Sequence, residues 1–248
     1  MIQVEDVHKS YGGQKVLEGI TFQVETGQVV TIIGRSGGGK TVLLRQMMGL
    51  EKPDAGRILI DGVNIVDIGP DQLNRVRRSI GILFQDGALF DSLTVFENVA
   101  FPVREHTRMS EKQIRNTVFK KLSEVGLTDA ADKFPHQISG GMRKRAGLAR
   151  ALVLDPEIVY FDEPTTGLDP IAKASLYSRI RQAHLERAVT FVLVSHDIKG
   201  VLEISDTILM LWQGKIMTSG TPDQIRNHSH ALVQQFLTGS AHGPIPLD

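Results

Sequence analysis

The chain has 248 residues, 28 basic and 28 acidic side chains, 41% hydrophobic residues and no cysteine. That length suits one large domain, or a domain with an inserted subdomain, and the balanced charge argues against a dedicated nucleic-acid binder. Without cysteine there are no disulfides, thiolate zinc sites, iron–sulfur clusters or cysteine nucleophiles. The longest apolar runs, such as Phe191 to Val194, fall far short of the ~18 residues a membrane span needs. The opening MIQVEDVHKS has no basic-then-apolar signal region, so the expectation is a cytoplasmic protein whose membrane role comes through a partner.

The first 65 or so residues read as strands. Val4 to Val7 is short and alternating, and Ile20, Phe22 and Val24 alternate with polar residues, as in a half-buried antiparallel strand. Val29 to Ile33 is all but continuously apolar, which suits a strand buried on both faces. A helix follows from Lys40 to Met48, and Arg57 to Ile60 runs into an Asp61-Gly62 turn. The middle reads as helices. Thr94-x-x-Glu97 and Ser110-x-x-Gln113 are capping-box patterns. Ile114, Val118, Leu122 and Val125 line one helical face, with Gly126 placed to end it. A further helix begins near Ser139. Met142, Ala146, Ala149 and Val153 share its inner face, and Arg143, Lys144, Arg145 and Arg150 are expected to look outward. Buried strands return at Ile158 to Phe161 and Thr190 to Val194, and Thr207 to Thr218 reads as a hairpin. Thr221-Pro222 opens a short helical end, and the final GSAHGPIPLD reads as a loose tail. This order implies an α/β sheet domain carrying a helical insertion from near Asp86 to Asp155.

Gly34-Arg35-Ser36-Gly37-Gly38-Gly39-Lys40-Thr41 matches G-x-x-x-x-G-K-[ST] between a buried strand and a helix. Glycines let successive backbone N–H groups turn inward as an anion nest, and the helix N-terminus adds positive partial charge. Lys40 is expected to neutralise the β- and γ-phosphates of a nucleotide, and the Thr41 hydroxyl to ligate Mg²⁺. Asp162 and Glu163 follow a buried strand, and ligand sites in parallel sheets lie beyond the strands' carboxyl ends. Asp162 is expected to hold the metal and Glu163 to take a proton from the attacking water. His196, after the run Thr190 to Val194, is a candidate to bond the γ-phosphate and orient that water.

With Ser139-Gly140-Gly141-Met142, Asp162-Glu163-Pro164, Gly167-Leu168-Asp169-Pro170 and Ser195-His196-Asp197, the phosphate loop resembles the ATP-binding cassette ATPases of ABC transporters. The resemblance covers residues 1 to 237. It implies a P-loop NTPase fold: a RecA-like core at about 1–85 and 156–220, with an N-terminal antiparallel β subdomain, a helical subdomain at about 86–155, short helices at 221–237 and a tail at 238–248. It implies ATP and Mg²⁺, with Glu163, His196 and Lys40 as catalytic residues. The ATP contacts would be Tyr11 (stacked on adenine), Gly34, Arg35, Ser36, Gly37, Gly38, Gly39, Lys40, Thr41, Val42, Gln85 and Asp162, with Thr41, Gln85 and Asp162 on the metal. Ser139, Gly140, Gly141 and Met142 would meet the ATP of a second chain in a head-to-tail homodimer, and Asp169 would cross that interface. Two positions depart from the usual pattern: Val42 replaces a hydroxyl residue, and Met142 replaces glutamine. Phe84 to Phe90, Thr94 to Pro102 and Ser139 to Arg145 look like the ATPases of Mla phospholipid transport systems. That resemblance implies phospholipid transport between bacterial membranes, a separate membrane permease, a STAS-domain protein and an MCE-type lipid-transfer protein. It places the chain on the cytoplasmic face of the inner membrane. The alternatives are an ABC importer for another solute and a non-transport ABC ATPase.

Overall fold

The structure is a computed structural model that describes residues 1–246. It divides into two compact units, Met1–Asp67 with Val194–Asp248, and Ile68–Leu193. The first unit opens with β1 (Ile2–Tyr11), β2 (Gln14–Val24), β3 (Val29–Ile33), α1 (Lys40–Met47), β4 (Ala55–Ile60) and β5 (Val63–Asn64). An antiparallel sheet runs in the order β2-β1-β4-β5. Its register pairs Ile2 with Val24 and Ile60, and Val4 with Phe22 and Ile58. Ile2, Val4, Val7, Ile20, Val24, Ile58 and Ile60 are buried, the period of two expected for one covered face, broken by a register shift between Val4 and Val7. β1 is longer than the alternation at Val4 to Val7 suggested, because it is hydrogen-bonded on both sides. Asp61 and Gly62 have φ of 47° and 80°, the two positive values that let a short turn follow the strand twist into β5.

The second unit holds α2 (Pro70–Arg77), β6 (Ile80–Leu83), α3 (Val95–His106), α4 (Glu111–Glu124), α5 (Gly140–Leu152), β7 (Ile158–Asp162), α6 (Pro170–Arg187) and β8 (Thr190–Val194), whose last residue begins the return to the first unit. Its strands lie in the order β8-β7-β6, with β6 parallel to β7. Phe161 and Phe191 pack edge to face at 5.1 Å. Both capping boxes form, at Thr94 and at Ser110. Ile114, Val118, Leu122 and Val125 are buried, as their spacing required. One expectation for α5 fails. Lys144 is 5% exposed, and Arg150 turns its guanidinium onto the backbone carbonyls of Gly87 and Ala88 at 2.8 and 2.7 Å. Neither side chain looks outward, because each has a carbonyl partner that the sequence did not reveal.

The chain returns to the first unit through α7 (Ile198–Ile204), β9 (Thr207–Trp212), β10 (Lys215–Gly220), α8 (Pro222–Arg226) and α9 (Ala231–Thr238). There the order is β10-β9-β3, with Val30 paired to Thr207 in parallel register. All five residues of β3 are buried. The one polar member, Thr31, is satisfied by the Ser205 hydroxyl at 2.7 Å, as a buried hydroxyl must be. Past α9 the chain bends back. The Gln235 amide donates to the carbonyls of Ser240 and Ile245 and accepts the Ile245 N–H, so the described part of the tail is tied down rather than loose. Leu247 and Asp248 lie outside the described residues. Among the described residues no helix is long and apolar enough to cross a membrane.

Candidate functional site

The first unit contributes the phosphate loop. It leaves the buried end of β3 at Gly34 and enters α1 at Lys40. Gly39, the N-cap of α1, has φ of 92°, and a Cβ there would lie 3.0 Å from the Val16 carbonyl and from Leu17. Both the backbone and the space demand glycine. Lys40 is 5% exposed and its ammonium donates to the carbonyls of Gly34 and Arg35 at 2.9 and 3.0 Å. The cation is thereby curled into the loop at the positive end of a helix. Beside it is a pocket of about 280 Å³, lined by Tyr11, Val16, Gly37, Gly39, Lys40, Thr41 and Val42. Tyr11, far upstream in sequence, therefore shares a wall with the loop.

Tyr11 is 46% exposed. Its hydroxyl donates to the Glu51 carboxylate, which pushes the phenol above its ordinary value. The Lys9 ammonium stands 5.4 Å from the ring centroid and pairs with Asp54 at 3.0 Å and Glu51 at 3.3 Å. Burial works to lower that ammonium, but the hydrogen bonds to Asp54 and Glu51 outweigh it and raise it. His196 also belongs to this unit. It is exposed and follows Ser195, whose N–H bonds the Ile32 carbonyl at 3.2 Å, two residues before Gly34.

The second unit carries the carboxylates and the signature. Asp162 ends β7. Glu163 follows with φ of 48°, a left-handed conformation that costs a non-glycine residue about 1–3 kcal/mol and is found where a side chain must be aimed. Thr166 closes the turn, its N–H bonding the Glu163 carbonyl at 3.2 Å and its hydroxyl the Glu163 carboxylate at 3.4 Å. Asp169 caps α6 through Oδ1, which accepts from the N–H groups of Ile171 and Ala172 at 2.9 Å. Ser139, exposed, is the N-cap of α5, accepting from Met142 N–H at 3.2 Å. Gly140 and Gly141 form the first turn, a second helix end suited to an anion. Gln85 is exposed, two residues past the end of β6. Near it opens a largely apolar groove of about 340 Å³ whose walls include Phe84, Phe90, Phe101 and Leu154, with Arg77, Arg78 and His106 also lining it. Phe90 and Phe101 lie against each other at 5.1 Å.

Structure thus gathers Tyr11, the phosphate loop and His196 in one unit, and Gln85, Asp162, Glu163, the signature and Asp169 in the other. Sequence reading missed Val16, Glu51 and Lys144. Val16 and Glu51 had no local signal, since each matters only through what folding sets beside it. Lys144 did have one: it lies four residues before Leu148 and seven before Ala151, on a helical stripe that is otherwise apolar.

Comparison with known proteins bears on family and fold. Residues 17–166 match the ABC transporter family. The chain is 42% identical over 244 residues to the probable ribonucleotide transport ATP-binding protein mkl of Mycobacterium leprae, covering 98% of this chain and 70% of that one. It is 42% identical over 246 residues to the intermembrane phospholipid transport system ATP-binding protein MlaF of Escherichia coli K12, covering 99% and 91%. A dimeric ATP-binding cassette in a post-hydrolysis state, bound to ADP and Pi, superposes with a TM-score of 0.83 at 31% identity, over 90% of this chain and 99% of that one. The fold and motifs define a P-loop ATPase. The chain belongs to the ABC transporter family, as one of its ATP-hydrolysing subunits.

Proposed function

We propose that the chain hydrolyses ATP as a head-to-tail homodimer to drive phospholipid transport between membranes through a separate permease. The observation that carries the phospholipid reading is the 42% identity to MlaF over 99% of this chain and 91% of that protein. The dimeric cassette structure supports the homodimer. In this reading Tyr11 stacks on adenine and the loop from Gly34 to Thr41, with Val42, holds the phosphates. Lys40 stabilises charge developing on the γ-phosphate. Glu163 accepts the proton of the attacking water while His196 orients it. Ser139, Gly140, Gly141 and Met142 offer a second helix end to the partner chain's nucleotide, and Asp169 lies at that contact. Thr41, Gln85 and Asp162 offer the hydroxyl, amide and carboxylate oxygens that suit Mg²⁺. Bound there with the phosphates, the ion would neutralise their charge. The largely apolar groove beside Gln85 suits a short apolar helix of a permease, which would hold the chain peripherally on the cytoplasmic face of the inner membrane. STAS-domain and MCE-type partners complete the reading.

Glu163→Gln removes the base but keeps size and most hydrogen bonding. ATP binding is expected to persist while turnover falls roughly 10²-fold or more; near-normal turnover removes Glu163 from that role. The name of mkl favours a second reading, transport of ribonucleotides. Purification from detergent-solubilised membranes separates the two: co-purifying phospholipid with a permease is expected, and a permease that, freed of the ATPase subunits and their ATP, retains a ribonucleotide and no phospholipid overturns the lipid assignment.

A further inference from the structure

We propose that Lys144 is a positioning residue for hydrolysis, holding from the signature helix the loop that aims Glu163. The proposal rests on Glu163 acting as the base. Lys144 lies on the second turn of α5, 5% exposed. Its ammonium donates to the Thr166 carbonyl at 2.6 Å. Thr166 in turn bonds Glu163 twice, by its N–H to the carbonyl and by its hydroxyl to the carboxylate. The lysine therefore fixes the peptide that fixes the base.

The surroundings fit that task. Glu163 and Asp86 attract the ammonium and Lys173 repels it, while burial opposes the charge most strongly and lowers it from its ordinary value. Methionine would fill the same volume without desolvating a cation, so what distinguishes lysine here is the bond it makes. A strained, left-handed Glu163 needs such bracing, since nothing in its own backbone preference keeps it there. The same helix is N-capped by Ser139. In the head-to-tail reading, Ser139 and Lys144 place the partner's nucleotide contact and the brace on this chain's base on one helix.

The test compares Lys144→Met, Lys144→Arg, Glu163→Gln and the Lys144→Met/Glu163→Gln double variant in the ATPase-active assembly. Turnover, ATP affinity and thermal melting are measured for each. Lys144→Met is expected to lower kcat roughly 10-fold or more with KM unchanged, since small misplacements of a catalytic group carry losses of that order. Lys144→Arg restores most of it. In the Glu163→Gln background Lys144→Met costs nothing further, because the group it positions is already gone. Should Lys144→Met fail to fold, Lys144→Gln is measured in the same way. Normal kcat in the folded variant overturns the proposal, and so does an undiminished further loss in the Glu163→Gln background. A fall in kcat that tracks melting temperature without rescue by arginine makes the lysine merely structural. Near-normal turnover of Glu163→Gln alone sinks the assignment of the base instead, so the two failures are distinguishable.

Discussion

Tyr11 shows what a single side chain owes to its neighbours. Its ring is half exposed, and the hydroxyl bond to Glu51 and the nearby Lys9 ammonium help hold it at the pocket wall. Base–aromatic stacking is worth about 1–3 kcal/mol, so Tyr11→Ala is expected to weaken ATP binding roughly 5- to 150-fold, with kcat at saturation little changed. Glu51→Gln, which loosens the ring without removing it, weakens binding by a smaller factor. Equal affinity in a nucleotide titration of both variants would take the ring off the base. Because every base has a π-face, stacking alone also predicts weak preference for ATP over GTP. The phosphate loop was legible in the sequence because its chemistry is contiguous: eight successive residues make the nest. Glu51 was not legible, being forty residues from the ring it supports.

Elements were legible where local signals were strong. The Thr94 box is one such case: the hydroxyl accepts Glu97 N–H at 3.2 Å, and the Glu97 carboxylate accepts Thr94 N–H at 2.7 Å. Thr94→Ala is expected to cost about 1 kcal/mol, read as a lower denaturant midpoint. The Glu97 carboxyl is held below its ordinary 4.5, first by the Thr94 backbone N–H and then by its hydroxyl. A carboxyl depressed in the folded state stabilises above its unfolded value and loses that contribution as pH falls through the folded one. Glu97→Gln should therefore narrow the stability gap between pH 7 and pH below about 4.5; an unchanged gap would mean the carboxylate is not bound this way. Helix α6 was harder to see. Its buried residues, Leu176, Tyr177, Ile180 and Ala183, keep a helical spacing, but the exposed apolar residues Ile171 and Leu185 blur that stripe in the sequence. For α5 the apolar stripe was right, but charge alone was a poor guide to exposure. Lys144 and Arg150 bury their heads because backbone carbonyls at Thr166, Gly87 and Ala88 receive them.

At the scale of the molecule, the order of motifs was enough to indicate the architecture and family. The helical stretch at 86–155 shares its unit with β6, β7, β8 and α6, because strand pairing and helix packing there depend on residues far apart in sequence. One feature at this scale also governs how the protein responds to concentration. Ser139 is an exposed hydroxyl at a helix end, and in the head-to-tail reading it serves a nucleotide held by another chain. Turnover by free subunits then depends on encounter and obeys mass action. Below the dimer dissociation constant, specific activity should fall in proportion as the protein is diluted. Two subunits fastened to one permease escape that law, since tethering supplies an effective concentration on the order of millimolar. A dilution series of free and assembled protein should give a falling line and a level one. A level line for the free subunit would mean each chain completes its own site.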